Sequence, residues 1–213
     1  NWISDISPLR NLTKLVRLRI AENPLTDIDA LSELTELRVL RMHRHGDFIG
    51  GQNPRSHMGA TGLLFTNAVT DIGPLAKLTK LVDLNIHTQD TSDLTPLSGL
   101  TSLIELRLAA NSFTDLAPLR DLASLQYLEL TGNDIIDIGP LSGLINLKQL
   151  DLRFNPELTN IQALLENPGI GAGDIVELRH TNVSCVDQAR LQDKGMDVRT
   201  ELFSSCATAN RQR

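Results

Sequence analysis

Apolar and polar positions along this chain repeat with one period. From Leu100 the pattern runs through Leu103, Leu106, Leu108, Asn111, Phe113 and Leu116 to Leu119. It returns 22 residues later as Leu122, Leu125, Leu128, Leu130, Asn133, Ile135, Ile138 and Leu141. Leu12, Leu34, Leu78, Leu100, Leu122 and Leu144 open units in the same register. Self-similarity at such a period is the signature of a stacked repeat.

Each unit predicts one coil. Alternation around Leu106 and Leu108 predicts a short strand with leucines inward and the residues between them outward. Asn23, Asn67, Asn111, Asn133 and Asn155 fall where the chain leaves the strand, and an amide there satisfies turn backbone groups inside the stack. Pro8, Pro74, Pro96, Pro118 and Pro140 lie on the opposite side of the coil and favour a short 3₁₀ turn over a long helix. The predicted fold is an α/β repeat solenoid. It is curved, with a parallel β-sheet on its concave face, 3₁₀ turns on its convex face and a capped C-terminus.

These positions resemble the leucine-rich repeat family, in the 22-residue class of the bacterial internalins and of a nuclear phosphatase regulatory subunit. The resemblance covers roughly Ile3 to Leu165. It implies a fold and a binding role, while the repeated positions themselves are structural.

Three departures from the period divide the chain. Asn1, Ile3, Ile6 and Leu9 already occupy mid-coil positions, which predicts a cap or further coils before Asn1. An irregular segment at about 43–62 has Ser56, Gly59 and Gly62 where leucines belong. A decayed coil and a projecting loop both account for it. The spacing from Leu34 to Leu78, two full periods, favours the decayed coil, and a long irregular segment in a compact repeat suggests a binding role. The repeats are thus expected over 1–165, a last coil and cap over 166–206 and a tail over 207–213. Within the cap, Asp187–Gly195 predicts a short helix ended by Gly195, and the residues after it an edge strand.

Composition narrows the function classes. Leucine supplies 38 of 213 residues, whereas aromatic residues make up 3 %, too few for a stacking groove. A net charge of −6 argues against nucleic acid, and apolar runs of three or four residues argue against membrane insertion. The two cysteines, Cys185 and Cys206, flank the predicted cap. A bond between them would close a loop of about 20 residues and add roughly 3 kcal/mol; two free thiols in a cytosolic protein is the other reading. Disulfide-locked C-terminal caps are also what the resemblance implies for an extracellular member.

No nucleophile-elbow, zinc-protease or paired Cys-x-x-Cys pattern occurs, so no enzyme and no cofactor is expected. His43, His45, His57 and His87 cluster around the irregular segment, but the in-register reading puts His43 and His87 two coils apart, about 10 Å. No metal site is expected on that ground.

The candidate site is the concave face. Its central row reads Arg19, Arg41, Leu63, Asn85, Arg107, Glu129, Asp151 and Glu177, with His43, Phe65 and His87 in the next row and Tyr127 in the preceding one. Arg19, Arg41, His43, Phe65, Asn85, His87, Arg107, Tyr127 and Glu129 are the candidate partner-binding residues. The face reads as basic at one end and acidic at the other, which points to a protein partner that is acidic where it meets the arginines. The expected function is a non-catalytic recognition module, secreted or at the cell surface. The alternative is a cytoplasmic scaffold or regulatory subunit of a phosphatase-like enzyme.

Overall fold

The computed structural model describes residues 2–43, 69–87, 89 and 91–200. Eight three-residue strands form one open parallel sheet in chain order. They are β1 Arg17–Arg19, β2 Val39–Arg41, β3 Asp83–Asn85, β4 Glu105–Arg107, β5 Tyr127–Glu129, β6 Gln149–Asp151, β7 Ile175–Glu177 and β8 Asp197–Arg199. The middle residue of each strand points inward: Leu40, Leu84, Leu106 and Leu128 are fully buried, and Val176 likewise. Its two neighbours point outward, as the alternation predicts.

The convex side carries 3₁₀ turns at Ser7–Asn11, Asp29–Glu33, Gly73–Lys77, Thr95–Leu97, Ala117–Leu119 and Gly139–Gly143. Five of the six have proline in the first two positions. Ala30, at the position equivalent to the proline, keeps a 3₁₀ turn, while Gln162 opens a short helix, α1 Gln162–Glu166. One position per coil was missed by sequence reasoning. Asp71, Asp115 and Asp137 accept hydrogen bonds at Oδ1 from the amides of Gly73, Ala117 and Gly139, at 2.7, 2.8 and 2.7 Å, and so start each turn.

Asparagines stitch the coils together. Asn133 Nδ2 donates to Leu130 O in its own coil and to Leu108 O in the preceding one, while Oδ1 accepts from Phe113 N. Asn155 repeats all three bonds one coil later. The residue before each asparagine adopts a left-handed backbone, at Glu22, Ala110, Gly132 and Phe154.

Two steps break the arithmetic. Strands start 22 residues apart except for 44 between β2 and β3 and 26 between β6 and β7. The in-register reading places a strand through Thr61 and Leu63 between β2 and β3. The sheet does not contain it: Val39 pairs with Asp83 and Arg41 with Asn85. Gln89 explains how the gap is closed. It stands at an asparagine position, and its Oε1 accepts from Val69 N as an asparagine would. Its Nε2 donates to Met42 O, which follows β2 as Leu108 O follows β4, whereas the regular spacing would select a carbonyl 22 residues later. Asn67, Leu63 and Phe65 lie outside the described residues.

The C-terminal end is capped by α2 Cys185–Asp193 and β8. Ser184 accepts from Asp187 N to start the helix, and Gly195 follows it with φ +91°. Lys194 Nζ donates to the carbonyls of Leu164 and Asn167, satisfying the end of α1.

Candidate recognition surface

The outward residues of β1 to β8 form rows across the concave face. Direct pairing of β2 with β3 brings several candidate residues one coil closer than expected. Arg41 now stands beside Asn85, which in turn stands beside Arg107. His43 and His87 belong to adjacent coils, and their rings meet edge to face at 4.8 Å between centroids. The expected separation of about 10 Å was wrong because the intervening coil is skipped. Among the described residues, no group of three or more His, Cys, Asp or Glu side chains gathers as metal ligands.

Asp83, absent from the candidate residues, ties the basic ones together. Arg41 Nε donates to Asp83 Oδ2 at 3.0 Å, and its second nitrogen reaches the same oxygen. Arg107 contacts the other oxygen at 3.5 Å and Glu105 at 3.0 Å. Its guanidinium also lies over the Tyr127 ring, 4.7 Å from the centroid. Asp83 was legible in the row preceding Arg41, but only once β2 and β3 are recognised as neighbours. Burial, joined by the Glu129 carboxylate, pushes the Tyr127 phenol up to about 12.

Further along, acids that gave the face its acidic end are neutralised in place. Arg153 Nε bonds both oxygens of Asp151 at 2.9 Å. Glu177 meets Arg179 at 3.0 Å and Arg199 at 3.3 Å. The expected basic-to-acidic gradient is therefore largely a ladder of local ion pairs. Arg17 and Arg19 on β1 are exposed and carry no ion pair among the described residues. Glu129 likewise has none. Burial pushes its carboxyl up, the Asp151 charge adds to this, and Arg107 and Arg153 oppose it.

A family model for paired leucine-rich repeats matches residues 123–166. Among solved structures, internalin C2 from Listeria monocytogenes superposes with TM-score 0.75 at 25 % identity, covering 94 % of this chain and 77 % of that one. The chain carries leucine-rich repeats in a fold like that of the internalins. A leucine-rich repeat protein of Leptospira interrogans also shares the fold, with TM-score 0.64 at 20 % identity over 92 % of this chain and 51 % of that one. So does the ectodomain of the plant membrane receptor kinase GASSHO1/SCHENGEN3 from Arabidopsis thaliana. Its TM-score is 0.64 at 18 % identity, with coverage of 93 % and 26 %. No curated protein sequence matches the chain.

Leucine-rich repeats are in general protein-binding modules and not catalytic ones. For this leucine-rich repeat protein, the structure brings Arg41, Asn85, His43, His87, Arg107, Tyr127 and Glu129 onto one contiguous patch. Arg19 stands at the end of the same row, two strands from Asn85. Among the described residues, no helix is long and apolar enough to cross a membrane.

Proposed function

We propose that this leucine-rich repeat protein is a non-catalytic recognition module of internalin type, secreted or held at a cell surface, that binds a protein partner across its concave sheet. The observation that carries this reading is the central patch. Arg107 is clamped by Asp83 and Glu105 and stacked on Tyr127, so an Arg–Tyr pair is presented in a fixed geometry. Pre-ordered arginine and tyrosine side chains are the usual anchors of protein interfaces. Arg41, His43, Asn85, His87 and Glu129 surround that anchor and Arg19 lies further along the row, while Phe65 lies outside the described residues. An acidic contact on the partner belongs at Arg17 and Arg19, concave-face arginines with no carboxylate bound among the described residues. The Arabidopsis receptor ectodomain was solved in complex with CASPARIAN STRIP INTEGRITY FACTOR 2, so the same fold serves extracellular ligand recognition there.

Export is read from the cysteines. Cys185 opens α2, in the cap that closes the stack; Cys206 lies outside the described residues. A bond between them would fasten the cap in an oxidising compartment. Intact mass after alkylation, with and without reductant, tests it on protein isolated from its native source. A reducible pair supports export, and two alkylated thiols favour the intracellular scaffold.

The surface is tested by capture from extracellular fluid of the source. Three baits are compared: wild type, a concave variant with Arg19→Ala and Tyr127→Ala, and a convex variant with Asp27→Asn, Asp115→Asn and Asp137→Asn. The concave variant should lose about 2 kcal/mol or more of affinity for the captured protein. Binding that survives the concave changes but not the convex ones overturns the reading.

A further inference from the structure

Carboxylates on the concave face are matched with arginines almost throughout. Asp83, Glu105, Asp151, Glu177 and Asp197 each have an arginine nitrogen within 3.5 Å. Glu129 is the exception among the described residues. Its neighbour on β4, Arg107, turns its guanidinium the other way, toward Glu105, Asp83 and the Tyr127 ring. Its neighbour on β6, Asp151, is itself acidic and is already held by Arg153. Arg107 and Arg153 lie near enough to favour the Glu129 charge, yet neither bonds it. A partly buried carboxylate without a hydrogen-bonding partner costs free energy that a bound partner recovers.

A second unsatisfied oxygen lies two residues beyond the end of β5. The ladder between β5 and β6 continues beyond Glu129, with Leu130 N donating to Asp151 O and Gly132 N to Arg153 O. Leu128 and Leu130 are buried in the core, so Glu129 and Thr131 share the outward side. Thr131 is 1 % exposed, and its hydroxyl has no hydrogen-bond partner. The two side chains are spaced about 7 Å along the strand, within the reach of a guanidinium or ammonium that donates to both. Beside them is the face of Tyr127, which suits the aliphatic stem of such a group.

We propose that Glu129 and Thr131 receive one lysine or arginine side chain from an extended segment of the protein partner, its stem lying along Tyr127. This rests on the concave-face reading above and adds the charge of the partner at this point. An acidic partner side chain would meet Glu129 and Asp151 together. A metal ion would need more oxygen or nitrogen ligands than one carboxylate and one hydroxyl supply.

The test is selection of a random twelve-residue peptide library, displayed on phage, against the folded wild-type protein. Selected peptides should share one lysine or arginine at a fixed position. Glu129→Gln should weaken them about tenfold or more, the loss of a charge-assisted hydrogen bond. Thr131→Val should weaken them less. Glu129→Lys should instead accept peptides in which the shared cation is changed to glutamate, a rescue that a merely structural role would not give. Melting temperatures check that each variant is folded. Peptides that require Arg19 and Tyr127 but ignore Glu129, or a selection that yields none dependent on Glu129, overturn the inference and leave the concave reading in place. Peptides indifferent to all three residues overturn both.

Discussion

Tyr127 is the single tyrosine of the chain, so the absorbance change of phenolate formation reports this one ring. The midpoint is expected at about 12, because burial and the nearby Glu129 carboxylate disfavour a second negative charge. An ordinary midpoint near 10 would mean that the ring is solvated. The linkage has a definite sign. Above pH 10 the unfolded chain sheds the phenol proton that the folded chain keeps, so stability falls as pH rises between the two midpoints. Core and face differ as sharply. Leu106→Ala or Leu128→Ala should cost about 2–5 kcal/mol in urea unfolding by opening a cavity between coils. Glu129→Gln should leave stability unchanged or raise it, since it removes a shielded charge without a partner. Arg107→Ala is not the neutral change that an outward position suggests, because it strips Asp83 and Glu105 of a cation and uncovers Tyr127. Period-two alternation tells which side of the sheet a residue faces. It does not tell where a long side chain then turns, and that turning decides which arginines on this face remain available.

At the scale of one coil, the recurring aspartate is a turn starter. Asp115→Ala should cost about 1 kcal/mol, while Asp115→Asn should cost only a few tenths because the Oδ1 acceptor remains. Equal losses would show that the charge, and not the acceptor, holds the turn. The recurring aspartate was visible in the sequence, but its role required knowing that the amide two residues on is otherwise unpaired. The connector after α1 offers a harder case. A Cβ on Gly169 would lie 1.9 Å from the Ile145 carbonyl oxygen. That contact is between backbones, so neither side can yield cheaply. Gly169→Ala should therefore destabilise the last coils by several kcal/mol, more than typical surface changes, with hydrogen exchange rising first around α1 and β7. Only the approach of two chain segments distant in sequence explains why residue 169 is glycine.

For the whole molecule, the stack of leucine coils was legible from end to end, apart from one step. Forty-four residues between Leu34 and Leu78 are two periods, and periodicity alone does not distinguish two coils from one coil carrying an excursion. Gln89, in place of an asparagine, marks the junction, and its amide bonds the carbonyl of Met42 directly across it. Deletion of residues 45–66 joins Arg44 to Asn67 and restores a regular 22-residue coil in sequence. The shortened protein should keep its sheet and melt no lower than the parent, because β2 and β3 are already paired. Loss of cooperative melting would show that the excised residues hold the two coils together. The same step should be measurable as a length. Coils that contact only their neighbours come apart one at a time when the ends are pulled. Each regular coil should then release about 75 Å of extended chain, and the β2–β3 step about 150 Å. A force–extension record of this solenoid thus carries one double-length rip, a built-in mark that tells the observer which end has opened.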